Sequence, residues 1–341
     1  MKTPLFVQGM QGLGDSFMQR PYIRLLVERG EQVVLATSWP QLFADLGVSK
    51  FLDPHTLLRT QRKNLARSET KTLLGGGPMP ARFAQITLHY TAKGLMRGSV
   101  FDELEQTIPV GANETIRFDG PRFLPNSLTW FDLPPYAIVR PPTIRKEWAS
   151  SSRNCLPEYI DLAAKHLESL GFIVISLADL KDGEEALVGA APFAHLRLHN
   201  GELPIESLVE AIAHAAVVVS PVGWALPMSI AYRTKCVIVA GGRGAHNAPW
   251  KLTDPRQPLS NLRWVMPDHY CMCESGAHDC NKRITDFENK FALAFRSLRI
   301  QAPYSVISKE QRAAGVLEAL GAAHLDRSAR LIDLENLLHR R

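Results

Sequence analysis

The first forty residues alternate between short apolar runs and one amphipathic segment. Leu5–Gln8 is an apolar run of strand length, and residues 9–14 form a glycine-rich turn. Residues 16–29 place apolar positions at helical spacing up to Gly30, and residues 32–36 form a second apolar run. The order strand, glycine loop, helix, strand predicts a parallel sheet with helices on its faces.

The same alternation resumes after residue 135. The predicted strands are residues 136–139, 172–177, 217–219 and 236–240, and the predicted helices are residues 157–170, residues 205–215 and a short helix from Ala225. Two more helices, expected at residues 285–299 and 309–319, would close this second unit. The pattern therefore predicts an α/β protein with two Rossmann-like, doubly wound domains that face a cleft.

The chain length supports this division. A chain of 341 residues exceeds what one hydrophobic core usually organises. We predict one domain over residues 1–135 and a second over residues 136–341, with residues 118–135 as the linker because they are rich in Pro, Asn and Asp and lack periodicity. Ligands of such folds bind at the carboxyl ends of the strands, which here face the cleft.

Composition is that of a globular protein, with 45% hydrophobic and 21% charged residues. No apolar stretch reaches the length of a signal peptide or of a membrane span, so we expect no transmembrane segment and a cytoplasmic location. The net charge of +5 is compatible with a nucleotide, a lipid-borne phosphate or DNA as partner.

The glycine loop offers the first candidate chemistry. Gly12 and Gly14 precede Asp15, where backbone can approach a ligand at the start of a helix. A tight turn with Asp15 as the helix N-cap is the other interpretation. An NAD site is disfavoured, because the strand at residues 32–36 is followed by Thr and Ser instead of an acid that would hold a ribose.

The loop Gly12-Leu-Gly14-Asp15, followed by Pro21 in a basic and apolar helix, resembles the opening of the family-nine glycosyltransferases, the lipopolysaccharide heptosyltransferases. The resemblance implies a GT-B fold, with an N-terminal acceptor-side domain and a C-terminal domain that binds a nucleotide-sugar donor. It also implies that Asp15 is the general base that deprotonates the acceptor hydroxyl. A carboxylate beside a positive helix end suits that role.

Residues 140–148 resemble the family's segment that holds the donor diphosphate. Arg140, Thr143, Arg145 and Lys146 offer cations and a hydroxyl for phosphate oxygens. A basic surface loop in which Trp148 packs on the surface is the alternative interpretation.

The turn after the strand at residues 217–219 resembles the family's donor-facing turn. By their own chemistry, the backbone amides around Gly223 are candidates to meet phosphate, and Trp224 is a candidate to stack on a base or a sugar. The acid and the histidine that the family usually carries in this turn are absent from this sequence, so heptose is not implied as the transferred sugar.

Two further polar segments allow two interpretations each. Arg243 and His246 lie in a glycine-rich turn after a predicted strand, which either lines the cleft or is a plain exposed turn. The basic residues at 59–71 either form a helix with a solvated face or bind an anion.

A cysteine-rich segment provides a candidate metal site. Cys271, Cys273, His278 and Cys280 are the ligand types of a closed, tetrahedral zinc site. Such a zinc would be structural, because four protein ligands leave no open position for catalysis. Reduced, partly buried thiols with a surface histidine are the alternative.

The resemblance therefore implies a glycosyltransferase that moves a sugar from a nucleotide-sugar donor to an acceptor hydroxyl, on a lipopolysaccharide-type glycan or a lipid-linked acceptor. Two alternatives remain. A phage-type transferase acting on DNA bases would use residues 59–71 as its basic face. A protein that binds nucleotide sugars or carbohydrates without catalysis would not need Asp15 ionised.

Overall fold

The computed structural model describes residues 3–55, 58–75, 82–123, 130, 133–147 and 149–302. The first half of this part of the chain contains a parallel sheet of four strands in the order β3-β2-β1-β4. These strands are β1 (Leu5–Gln8), β2 (Val33–Ala36), β3 (Lys50–Leu52) and β4 (Ala84–Thr87). Its helices are α1 (Leu13–Glu28), α2 (Arg59–Leu65), α3 (Ser68–Leu73), α4 (Ala92–Arg97) and α5 (Val100–Thr107), with a 3₁₀ turn at Pro40–Leu46.

The second half is built on a parallel sheet of six strands in the order β12-β11-β10-β5-β7-β9. Its strands are β5 (Tyr136–Val139), β7 (Ile173–Leu177), β9 (Leu196–Leu198), β10 (Val217–Ser220), β11 (Cys236–Val239) and β12 (Leu262–Val265), and the short strands β6 (Thr143–Arg145) and β8 (Glu185–Leu187) pair antiparallel beside it. The helices are α6 (Pro157–Ser169), α7 (Ile205–His214), α8 (Ala225–Tyr232), α9 (Gly244–Asn247), α10 (Pro249–Leu252) and α11 (Phe287–Ser297), with 3₁₀ turns at Ser151–Arg153 and Leu259–Asn261.

The predicted fold class is confirmed, since both sheets are parallel and doubly wound by helices. The central strands β5, β7, β10 and β11 are buried at every residue, which is why their sequences are almost entirely apolar. The domain boundary at residue 135 stays a prediction. The helix expected at residues 309–319 lies outside the described residues, as does Trp148.

The two halves share one apolar core. Helix α1 packs against α8, and the rings of Phe17 and Tyr232 meet there edge to face at 6.3 Å between centroids. The other face of the six-stranded sheet is covered by α6 and α11, whose Tyr159 and Phe287 rings stack. The packing of α1 against α8 matters for the site, because it brings the start of α1 close to the start of α8 at the cleft.

Two local expectations are corrected. Helix α1 begins three residues earlier than predicted, with Gly12 at its N-cap, and Asp15 lies in the first turn without capping it. The N-cap interpretation of Asp15 is therefore wrong. The basic residues at 59–71 form two short helices, and Arg59 is buried against carboxylates of the second half. The prediction of a solvated face is wrong for Arg59, which is buried. Its carboxylate partners lie more than a hundred positions away in the sequence, so no local pattern could indicate them.

Within the described residues, no helix combines the length and the apolar character needed to cross a bilayer.

Candidate functional site

A cavity of about 270 Å³ lies between the two halves, where β1 ends on one side and β5 and β10 end on the other. Parallel strands place the residues that follow them at one edge of the sheet, so the loops after these strands converge. Most of the predicted site residues line this cavity, namely Gly12, Gly14, Asp15, Arg140, Thr143, Arg145, Gly223, Trp224, Arg243 and His246. Lys146 does not, because its side chain is exposed one residue beyond β6.

Asp15 projects into the cavity from the first turn of α1. A Cβ atom on Gly12 would overlap the Asp15 carboxylate, so the glycine leaves room for this side chain. The Tyr90 hydroxyl donates a hydrogen bond to Asp15 Oδ1 at 3.1 Å. Loss of hydration in the cleft raises the pKa of Asp15, and this rise is opposed by the Tyr90 hydrogen bond and the charge of Arg153. A carboxylate with a raised pKa is a stronger base than one in water.

Four guanidinium groups surround the same cavity, those of Arg140, Arg145, Arg153 and Arg243. Burial lowers the pKa of Arg140 to about 10, and the positive charge of Arg153 adds to this effect. Burial likewise lowers the pKa of Arg153 to about 10, with further repulsion from Arg145. These cations destabilise one another, so an anion bound among them would relieve the repulsion.

Glycines allow the close approaches that shape this site. A Cβ on Gly14 would lie 3.1 Å from the Cα of Trp224, so Gly14 lets the start of α1 reach the start of α8. A Cβ on Gly223 would lie 3.0 Å from Arg140 Nη1. The Arg140 guanidinium also lies 5.6 Å from the centre of the Trp224 ring, at the range of a cation–π contact.

A buried carboxylate that the sequence analysis missed organises the cations. Glu185, at the start of β8, accepts a hydrogen bond from Thr143 Oγ1 at 2.8 Å and another from Arg145 Nε at 2.8 Å. Arg140 Nη2 donates in turn to Thr143 Oγ1 at 3.4 Å. The sequence gives one signal for Glu185: it is an acid in a short polar run between two strands.

Tyr90 and Arg153 were missed as well. Tyr90 follows β4, whose residues are mostly exposed, and such a strand has no apolar run to reveal it. Arg153 closes a 3₁₀ turn, a feature with no sequence period.

Among the predicted residues, burial lowers the pKa of His246, so its imidazole is neutral near pH 7.

A second cavity, of about 110 Å³, adjoins the first. Leu13, Arg145 and Trp224 line both cavities. The rest of its wall comes from Trp39, α2 and Arg67 on one side and from β7, β9, α7 and the loops beside them on the other. The two cavities together offer a charged compartment beside a mainly apolar one.

The predicted metal ligands also converge. The ligand atoms of Cys271, Cys273, His278 and Cys280 all lie within 4.8 Å of one another. Three of these distances are 3.6 Å from Cys271 Sγ to His278 Nδ1, 3.4 Å from Cys273 Sγ to Cys280 Sγ and 3.3 Å from His278 Nδ1 to Cys280 Sγ. A tetrahedron with metal–sulfur bonds of about 2.3 Å has sulfur–sulfur edges of about 3.8 Å, so small adjustments would fit an ion.

The metal-ligand loop, residues 271–280, packs against the charged cavity. Arg243 Nε donates to the carbonyl of Glu274 at 3.0 Å, and Gly244 N donates to that of Cys271 at 2.8 Å. Ser152 N donates to the carbonyl of Gly276 at 3.0 Å, next to Arg153. The loop therefore supports both turns that carry these arginines.

Three solved structures share this architecture over most of the chain. The iron-containing dodecameric glycosyltransferase TibC from enterotoxigenic E. coli H10407 superposes with a TM-score of 0.53 and 16% identity, over 99% of this chain and 77% of that one. The dodecameric iron-containing heptosyltransferase TibC in complex with ADP-D-β-D-heptose gives 0.52 and 14%, over 95% and 78%. The family 9 glycosyl transferase from Veillonella parvula DSM 2008 gives 0.51 and 10%, over 93% and 97%.

The chain has the family-nine glycosyltransferase fold. The resemblance carried by the loop that ends at Asp15 predicted this fold, and the superpositions confirm it. Comparison with sequence profiles of protein families and with curated protein sequences finds no match. In the family-nine fold of this chain, the two cavities lie in the cleft between the sheets.

Proposed function

We propose that this protein is a glycosyltransferase that moves a sugar from a nucleotide-sugar donor to an acceptor hydroxyl. The observation that carries the proposal is the meeting of one carboxylate with a raised pKa, Asp15, and four guanidinium groups in a single cleft cavity. The fold shared with solved glycosyltransferases adds support. In the proposed reaction, Asp15 removes the acceptor proton while the acceptor oxygen forms a bond to the anomeric carbon.

The arginines serve the leaving group. As the bond from the anomeric carbon to the diphosphate breaks, negative charge builds on the phosphate oxygens, and preorganised cations stabilise it. Arg140, Arg145 and Arg243 carry this role together with Arg153, and Thr143 and the amides near Gly223 complete the site. The adjoining apolar cavity beside Trp224 has the character expected for the donor's nucleoside.

We propose a glycan or a lipid-linked glycan as acceptor. The alternative of a DNA acceptor needs a free basic face, and residues 59–71 were its candidate. Arg59 and Lys63 of this stretch instead form ion pairs with Asp179 inside the protein. These ion pairs remove two of the five basic residues from the face that a DNA acceptor would need, and on this ground we prefer the glycan. A protein that only binds sugars or nucleotide sugars would not need the hydrogen bond from Tyr90 that stabilises the charged form of Asp15 in the cavity.

We further propose one structural metal ion per chain, held by Cys271, Cys273, His278 and Cys280. Their spacing suits tetrahedral zinc. Iron is the second candidate, because the similar glycosyltransferase TibC is iron-containing. The metal would tie the loop that supports Arg243.

A screen of nucleotide sugars tests the function. Purified protein is heated with each sugar nucleotide of a panel that includes ADP-heptose, and melting is followed by fluorescence. A donor at a hundred times its Kd stabilises the folded state by about 2.7 kcal/mol. The donor found is then incubated with candidate glycan acceptors, and the release of nucleoside diphosphate is measured. A panel in which no compound raises the melting temperature would refute the proposal.

A further inference from the structure

Arg59 reaches from the first half of the protein into a group of carboxylates in the second. It begins α2 and is only 8% exposed. Its Nη1 atom lies 3.0 Å from Asp179 Oδ1, and its Nη2 atom lies 3.2 Å from Glu185 Oε2. Nη2 also donates to the Asp179 carbonyl, and the backbone N–H of Arg59 donates to Glu147 Oε1 at 3.0 Å.

Neighbouring basic residues add contacts between the two halves of the protein. Lys63 lies 3.1 Å from Asp179 Oδ1 and donates to the Asn200 carbonyl at 2.6 Å. Arg67 donates to the carbonyl of Leu203 at 3.4 Å. Helix α2 and the residues after it therefore span the cleft along the edge of the apolar cavity, which Lys63 and Arg67 also line.

The contact between Arg59 and Glu185 has a consequence for the charged cavity. Glu185 is 5% exposed and accepts from both Arg145 and Thr143, two groups of the proposed diphosphate site. Its Oε2 atom is shared between Arg145 and Arg59. If Arg145 turns toward a phosphate, Glu185 would be left as a buried charge unless another cation stays with it, and such a charge is costly.

We propose that Arg59 is a positioning residue that neutralises Glu185 across the cleft and so frees Arg145 to bind the donor diphosphate. This inference rests on the proposed function. It makes donor binding depend on contact between the two halves of the protein, because the counterion of Glu185 comes from the opposite side of the cleft. Arg59 acts through Glu185 and does not itself touch the donor.

The test measures binding of inorganic pyrophosphate and of ADP by titration calorimetry to the full chain. Arg59→Gln removes the cation, and we expect about tenfold weaker binding of both probes, the usual effect of one charged hydrogen bond. Arg59→Lys keeps the charge and should recover most of the affinity. The matched control is Arg62→Gln, an exposed arginine of the same helix, which should bind like the parent.

Glu185→Gln separates this role from plain structural support. Glutamine keeps an acceptor for Thr143 but carries no charge, so Arg145 is released without Arg59. We expect Arg59→Gln to weaken pyrophosphate binding in the parent but to have no further effect in the Glu185→Gln background, whatever the affinity of that background. Additive losses in the double variant would overturn the inference, and so would parent-like binding by Arg59→Gln.

Two outcomes need separate readouts. Circular dichroism and melting temperature report whether Arg59→Gln folds. If it does not, Arg59→Lys decides, because lysine keeps the charge but not the fork of donors. The inference predicts that Arg59→Lys weakens binding by less than about tenfold and that this loss disappears in the Glu185→Gln background. A parent protein that binds neither pyrophosphate nor any nucleoside diphosphate would refute the proposed function, and the inference with it. A parent that binds while Arg59→Gln binds equally well refutes the inference alone.

Discussion

The Tyr90 hydroxyl donates a hydrogen bond of 3.1 Å to the carboxylate of Asp15, although 75 positions separate the two residues. The charge of Asp15 raises the pKa of Tyr90, so the phenol keeps its proton and remains a donor. For Asp15 the effect of the same bond is opposite, because it stabilises the charged form against the loss of hydration in the cleft. The pair therefore sets the pH range in which Asp15 is a base.

Asp15→Asn should lower turnover by about a hundredfold or more, the usual contribution of a positioned general base. Binding of the donor should persist, because the arginines remain. Burial raises the pKa of Asp15, so its charge destabilises the folded protein at neutral pH, and the variant should be at least as stable as the parent. Initial rates with saturating donor and thermal melting at pH 7 check both expectations. Asp182→Asn, an exposed substitution of the same kind, is the control. Unchanged turnover in Asp15→Asn would remove Asp15 from the mechanism.

Tyr90→Phe should shift the acid limb of the pH–rate profile to higher pH. The base must be ionised, so activity rises as the pH passes the pKa of Asp15. Because the Tyr90 hydrogen bond lowers that pKa, its loss raises the pKa and moves the limb upward. The measurement is kcat/KM for parent and variant between about pH 4 and pH 9. This range begins near the ordinary pKa of a carboxyl group and extends upward to include a raised one. Superimposable profiles would show that the hydrogen bond does not tune the base.

Arg145→Ala should weaken pyrophosphate binding by about tenfold to a hundredfold, because a charge-assisted contact contributes about 1.5 to 3 kcal/mol. Lys146→Ala should have a smaller effect, since Lys146 is exposed and lies outside the lining of the charged cavity. The two adjacent substitutions form a matched pair for titration calorimetry. A larger loss in Lys146→Ala than in Arg145→Ala would mean that the phosphate site lies on the outer side of β6.

Purified protein should carry about one metal ion per chain, zinc according to the ligand set. Removing it with a chelator should lower the melting temperature and expose residues 267–282 to proteolysis, because metal binding contributes folding free energy. Pyrophosphate binding should weaken too, since the loop holds Arg243 through the Glu274 carbonyl. Elemental analysis distinguishes zinc from iron.

The variants for the metal site are Cys273→Ser, which removes a ligand, and Asp279→Asn, a control in the same loop. The first should lose the metal and the second should keep it. Metal-free protein in which a thiol reagent modifies Cys271, Cys273 and Cys280 freely would contradict the site.

The sequence by itself determined the parts of the fold that follow from local patterns of apolar and polar residues. Strands β5, β10 and β11 are almost entirely apolar, because strands buried on both faces have no polar side. Arg140 and Gly223 follow the neighbouring strands β5 and β10, so their approach at one edge of the six-stranded sheet was predictable from the α/β pattern. The cysteine and histidine ligands were predictable because they lie within ten residues.

Tertiary structure alone decided which groups pair. Strand β4 and the small sheet of β6 and β8 are short, and β4 is mostly exposed, so no apolar period marks them. The partners Tyr90 and Glu185 follow or begin these strands. Arg59 and Glu185 are 126 positions apart, and their ion pair forms only because the first residue of α2 reaches β8 across the cleft. A local pattern reports whether a residue is buried or exposed, but the charge that a buried residue meets depends on chain segments brought together by the packing of the two sheets.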